Sequence, residues 1–227
     1  GEGKSLVFHA IDRIGFTGGR PSSSSRGITL VVVPTIALAL DHARNARRDN
    51  APGPFAYVGG RSEANQLLLE QIRQGEQGLC FASPEAVCGP MRNSLRRAAE
   101  LGLLKAIVID EAHLVDGWGT GFRTEFQLLS GVRHELIALS PPETAPRAVL
   151  LSATLTQETV ETLRLLFSGP AAFERVTAAR VRPEPEFWAG PATDEDERRN
   201  RVLEALLHIP RPALLYVTRV SHAKDWF

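Results

Sequence analysis

The chain has 227 residues, 43% of them hydrophobic and 23% charged, which is the balance of an ordinary globular protein and enough for one full α/β domain and part of another. Its 26 basic and 26 acidic side chains cancel to a formal net charge of +0, so no global field draws it to nucleic acid, and such binding must come from a local groove or from backbone and aromatic contacts. Cys80 and Cys88 lack CxxC spacing and are too few for a disulfide scaffold, which points to a reduced, cytoplasmic setting, and no run reaches the roughly 18 apolar residues of a membrane span, so no membrane partner is expected.

Gly1-Glu2-Gly3-Lys4-Ser5 opens the chain, and Gly3, Lys4 and Ser5 fill the last three places of the phosphate-binding pattern G-x-x-x-x-G-K-[ST]. The strand that should feed such a loop would precede Gly1, so the chain reads as a fragment. Backbone N–H groups of Gly1 to Ser5 and the Lys4 ammonium suit the phosphates of ATP, and the Ser5 hydroxyl suits Mg²⁺. Leu6, Val7, Ile11 and Ile14 recur at helical spacing behind the loop, predicting a helix whose N-terminus faces the phosphates and which Gly15 ends. Thr17 to Gly27, with four consecutive serines, reads as a loop, and Arg20 and Arg26 within it as solvated charge.

Ile28 to Val33 is a continuous apolar, β-branched run closed by Pro34, the mark of a strand buried on both faces, and Thr35 opens an apolar-periodic helix through Ala39 to Ala43. A second strand is predicted at Pro54 to Val58, with Gly59-Gly60 as the turn and a helix from about Glu63 to Arg73. A third strand follows at Gly78 to Ala82, and Ser83-Pro84-Glu85 caps the next helix. Leu103 to Ile109 predicts a strand delivering Asp110 and Glu111 at its carboxyl end, and Ala148 to Leu151 one delivering Ser152, Ala153 and Thr154. The alternation predicts an α/β fold with a parallel sheet, in which ligands bind outside the carboxyl ends of the strands and all these loops line one crevice.

Ser168-Gly169-Pro170 and Arg180 to Pro185 read as an interdomain connection, which divides the chain into a domain at 1–168, a linker at 169–192 and the opening of a second domain at 193–227. Thr193 begins a capping-box-like Thr-Asp-Glu-Asp entry to a helix, where the carboxylates of Asp194 to Glu197 offset the dipole and Val202, Leu203, Leu206 and Leu207 form a stripe expected to be buried. Ala213 to Val217 is expected as a strand and Ser221 to Phe227 as the start of a helix.

A buried strand ending in Asp110-Glu111-Ala112-His113 suits phosphoryl chemistry, because an Asp can hold Mg²⁺ through water and a Glu can orient or deprotonate the attacking water only if both leave the sheet together; a solvated acidic turn is the plain alternative. Ser152-Ala153-Thr154 alone says little, since small hydroxyl residues routinely end strands; its order after the other two elements is what counts.

These elements in sequence, with Pro34-Thr35 and Ser83-Pro84-Glu85 between them, resemble motifs I, Ia, Ib, II and III of superfamily 2 helicases over most of the chain. The segment from Trp118 to Phe126 resembles the aromatic-rich loop of RecQ-type DNA helicases, and Leu215-Tyr216-Val217-Thr218-Arg219 resembles motif IV. The resemblance implies a RecA-like P-loop NTPase domain lacking its first strand, joined to the start of a second RecA-like domain. It further implies an ATP-dependent DNA helicase or translocase. Lys4, Asp110, Glu111 and His113 would be catalytic, Ser5 and Asp110 would hold Mg²⁺, and Ser152, Ala153 and Thr154 would couple hydrolysis to domain closure. Pro34, Thr35, Ser83, Pro84, Glu85, Trp118, Phe122, Arg123, Thr218 and Arg219 would meet nucleic acid, with base stacking standing in for net positive charge.

Trp118, Phe122 and Phe126 also fall at i, i+4 and i+8, the spacing of a helical core stripe, although Trp118 between Gly117 and Gly119 suits an exposed loop better. Val32 to Asp41 and Arg182-Pro183-Glu184-Pro185-Glu186-Phe187-Trp188 resemble the DpdF family, which accompanies bacterial 7-deazaguanine DNA-modification systems and so implies a defence role and defence-system partners. The arginine finger of motif VI is not among these residues, so this polypeptide alone is expected to hydrolyse ATP barely or not at all. A nucleotide- or DNA-binding chain without turnover and an RNA helicase of the DEAD or DEAH type are the alternative readings.

Overall fold

A computed structural model describes residues 3–14, 27–48, 55–116, 124–169, 172–177, 186 and 188–226. The chain divides into two compact units, Gly1–Glu174 and Arg175–Phe227. In the first, a four-stranded parallel sheet has the order β2-β1-β3-β4, formed by β1 (Ile28–Val32), β2 (Gly78–Ala82), β3 (Leu104–Ile109) and β4 (Arg147–Leu150).

The central strand β1 is buried at all five positions, which is why its sequence, Thr29 apart, is apolar rather than alternating. Successive side chains point to opposite faces. Ile28, Leu30 and Val32 join one core with Leu68, Ile72, Met91, Leu95, Leu136 and Leu163, while Val31 and Val33 join the other with Phe8, Ala39, Ala43 and Phe55. Helices α1 (Lys4–Ile14) and α2 (Ile36–Arg48) therefore cover one face. The other is covered by α3 (Ser62–Gln74), α4 (Pro84–Cys88), α5 (Arg92–Glu100), α6 (Thr124–Leu139) and α7 (Gln157–Phe167).

On α1 the inward residues are Phe8 and Ile11, whereas Leu6 is 71% exposed. At about 100° per residue Leu6 lies roughly 200° from Phe8, so of the expected stripe Ile11 faces the core while Leu6 and Val7 do not. The expected strand at 54–58 is, in its described part, a single bridge from Ala56 to Phe81 beside β2. Just beyond it, buried Asn65 accepts from Val58 N at 3.1 Å and donates to Val58 O at 2.8 Å. Gly75 ends α3 in the left-handed region at φ 71, where a Cβ would also meet Leu103 Cδ1 at 2.9 Å.

The second unit holds α8 (Glu195–His208) and α9 (Val220–Asp225). The N-cap of α8 is Asp194, whose Oδ1 accepts from Glu197 N at 2.8 Å, while Glu197 reaches back to Thr193 N at 2.8 Å, so the capping box is shifted by one residue from its expected place. No residue of α8 is buried, and Leu207 is 80% exposed, which corrects the expected buried stripe. Ala213 to Val217 is not a strand. Both departures share one cause: among the described residues the unit supplies no partner strand to pair with 213–217 and no sheet for α8 to cover.

Candidate active site

Parallel register puts the chemistry on one edge. Val32 is level with Ala82 on one side and Ile109 on the other, and Ile109 with Leu150, so all four strands end together. The next residues continue the ladder, with Val33 N donating to Ala82 O at 2.9 Å, Asp110 N to Val32 O at 2.9 Å and Leu151 N to Ile109 O at 2.8 Å. Asp110 is thereby fixed at the sheet edge with only 4% of its surface exposed.

The chain then turns sharply. Glu111 has φ 51, a left-handed conformation that costs a non-glycine residue about 1–2 kcal/mol and in functional sites is held by its surroundings. A short 3₁₀ turn over Ala112–Asp116 follows, anchored by Ala112 N donating to Leu151 O at 2.9 Å. Both carboxylates consequently meet the start of α1. Lys4 Nζ donates to Glu111 Oε1 at 2.5 Å and lies 3.6 Å from Asp110 Oδ1. Burial pushes the Asp110 carboxyl up, but His42, Lys4 and the Glu111 N–H at 3.0 Å together outweigh it and hold the group below its ordinary range, so it is ionised at neutral pH.

His113 bridges β3 and β4. Its Nδ1 lies 3.0 Å from Ser152 Oγ and 3.4 Å from Glu111 Oε2. Ser152 Oγ also donates to Thr154 O at 2.9 Å and accepts from Thr154 N at 3.2 Å, which ties it to the loop that follows β4. Ala153 and Thr154 are exposed beside it.

Gly3 is left-handed at φ 78, and Ser5 is exposed on the first turn of α1. Gly1, Glu2, Trp118, Phe122 and Arg123 lie outside the described residues. Pro34 and Pro84 are buried, and the hydroxyls of Thr35 and Ser83 accept from Leu38 N at 3.2 Å and Ala86 N at 3.4 Å, so these four cap helices or fill core. Glu85 is exposed at that edge, and Thr218 and Arg219 are exposed in the second unit, next to and at the N-cap of α9.

Among the described residues no three His, Cys, Asp or Glu side chains form a ready metal cage. Asp110, Glu111 and Ser5 offer oxygen donors only, a set that fits Mg²⁺, which typically takes one or two carboxylates and completes its shell with phosphates and water. One residue that motif reading passed over is His42 on α2, whose Nε2 lies 3.7 Å from Asp110 Oδ2. The available signal was a polar side chain on the inward stripe of Ala39, Ala43 and Ala46.

A family model described as DEAD/DEAH box helicase matches residues 1–163. An ATP-dependent DNA helicase RecQ of Synechocystis sp. is 27% identical over 219 residues, covering 96% of this chain and 42% of that protein. A probable ATP-dependent DNA helicase RecS of Bacillus subtilis is 26% identical over 227 residues, covering 99% of this chain and 41% of that one. The chain thus spans about two fifths of the length of these curated relatives. The crystal structure of the DUF1998 helicase MrfA matches with TM-score 0.61 and 17% identity, over 99% of this chain and 33% of that one, a likeness of fold.

Proposed function

The chain belongs to the DEAD/DEAH box helicase family, and we propose that it is the ATP-hydrolysing part of a RecQ-like DNA helicase or translocase working in the cytoplasm. The observation that carries this is Lys4 joined at once to Glu111 and Asp110, since a phosphate-binding cation and two strand-end carboxylates are what phosphoryl transfer to water needs at one point. The amides of Gly1 to Ser5 and the Lys4 ammonium hold the β- and γ-phosphates. Ser5 and Asp110 hold Mg²⁺, which when bound neutralises charge on the phosphates. Glu111 orients the attacking water and accepts its proton. His113, tied to Ser152, passes the state of that carboxylate to the loop at Ala153 and Thr154, which couples hydrolysis to domain movement.

DNA rather than RNA is the proposed polymer, on the similarity to the RecQ and RecS proteins, with Trp118, Phe122 and Arg123 as its sensors. The resemblance of 32–41 and 182–188 to the DpdF family supports service beside a DNA-modification system. The test is binding of a fluorescent ATP analogue in Mg²⁺, followed by ATP hydrolysis with single-stranded DNA or RNA of equal length. Binding weakened in Lys4→Ala is expected of this chain, and turnover stimulated by DNA once the chain is joined to a motif VI arginine. Binding indifferent to Lys4→Ala overturns the site, and equal stimulation by RNA overturns the polymer.

A further inference from the structure

Resting on the metal and nucleotide roles just proposed, we infer that His42 is a positioning residue for Asp110, fixing which carboxylate oxygen faces the metal. The two oxygens of Asp110 have divided surroundings. Oδ1 accepts the Glu111 N–H at 3.0 Å and faces Lys4 at 3.6 Å, while Oδ2 is turned away to His42 Nε2 at 3.7 Å. That distance is somewhat beyond the ~3.2 Å limit of an ordinary N–H···O bond, and catalytic hydrogen bonds are often long until ligands bind.

His42 has no freedom to look elsewhere. It is 9% exposed, stacks on Phe81 at 5.4 Å and 20°, and takes the edge of Phe8 at 5.2 Å and 83°. Both phenylalanines are fully buried, one on β2 and one on the helix that carries Lys4 and Ser5. Nε2 is buried with no hydrogen-bond partner, so Asp110 Oδ2 is the acceptor it stands against. A buried polar atom left unmade costs free energy, and an aromatic clamp that aims it at one carboxylate oxygen gives that cost a use. Without the imidazole, Oδ2 has nothing to stand against, and only the Glu111 N–H and Lys4 remain to hold Oδ1 in place.

The test uses two variants that separate packing from donation. His42→Phe keeps an aromatic ring between Phe8 and Phe81 but has no N–H; His42→Gln keeps an N–H but loses the ring. Binding of Mn²⁺ in the presence of a non-hydrolysable ATP analogue is read by electron paramagnetic resonance, beside metal-free binding of the analogue. His42→Phe should bind Mn²⁺ ~10-fold or more weakly with metal-free analogue binding unchanged, and His42→Gln should restore most of the loss. Equal Mn²⁺ affinity in His42→Phe and wild type, or equal loss in both variants, overturns the inference while leaving the nucleotide site standing. Absence of analogue-dependent Mn²⁺ binding in the wild type instead overturns the function proposed above. Should His42→Phe not fold, nitrogen NMR of the wild type decides: a proton on Nε2 is required, and a bare Nε2 overturns the inference.

Discussion

Lys4 Nζ and Glu111 Oε1 stand 2.5 Å apart, joining into one ion pair two motifs separated by 107 residues. A phosphate held by Lys4 therefore shares that cation with the strand-end carboxylates. Replacing Lys4 by Ala removes a charge-assisted donor worth about 1.5–3 kcal/mol, so nucleotide affinity should fall roughly 10- to 150-fold. Titration with a fluorescent ATP analogue reads this directly, and unchanged affinity contradicts the assignment of Lys4.

Glu111→Gln separates binding from chemistry. The amide keeps size and one acceptor but cannot take a proton, so analogue binding should stay within a few-fold, while DNA-stimulated hydrolysis by the chain joined to a motif VI arginine drops about 10²- to 10⁴-fold. A variant that hydrolyses ATP normally would assign the base elsewhere.

His113 and Ser152 are in direct contact at 3.0 Å across β3 and β4, so their substitutions should not add. In a double-mutant cycle of His113→Ala and Ser152→Ala, made in the chain joined to a motif VI arginine, the coupling in ATP turnover is expected at about 0.5–3 kcal/mol. Strict additivity would show that the contact is idle.

The parts of this fold that could be read from sequence are those fixed locally. β1 is apolar at every position but Thr29 because both faces are covered, and Ser83 precedes a helix because its hydroxyl accepts Ala86 N at 3.4 Å. What could not be read depends on partners distant in sequence. Nothing in Pro54 to Val58 discloses that Asn65 will take the main chain of Val58, and nothing in Val202 to Leu207 discloses whether a sheet lies beneath that stripe. The same division holds at the site. Lys4, Asp110 and Glu111 carry motif spacing, whereas His42 matters only through the tertiary placement of α2 against the end of β3.

Asn65 gives a stability prediction of its own. Asn65 is 7% exposed and makes two hydrogen bonds to one residue; Asn65→Ala leaves Val58 N unpaired in a buried setting, while Val58 O keeps the N–H of Arg61 at 3.2 Å. About 1–3 kcal/mol should be lost, seen as a fall of roughly 2–12 °C in Tm for a chain of this size. Asn65→Asp, which can accept but not donate, should recover only part of it.

Asp12 on α1 is the carboxylate whose burial works against folding. Its Oδ1 is buried without a hydrogen-bond partner, and burial pushes its pKa up despite the opposing pull of Lys105, Thr29, His9 and Arg13. A folded pKa above the unfolded value near ~3.9 means the protonated side chain is favoured in the fold. The contribution is therefore fully present below about pH 3.9 and is lost as pH rises through the folded pKa, above which a charge must be kept buried. Asp12→Asn carries no such charge at any pH. It should be more stable than the wild type at pH 7, with a higher Tm, and the gap should close as pH is lowered toward 4. Thermal unfolding followed by circular dichroism at a series of pH values measures both. A variant less stable than wild type at pH 7 would mean that the attraction of Lys105 outweighs the burial of the charge.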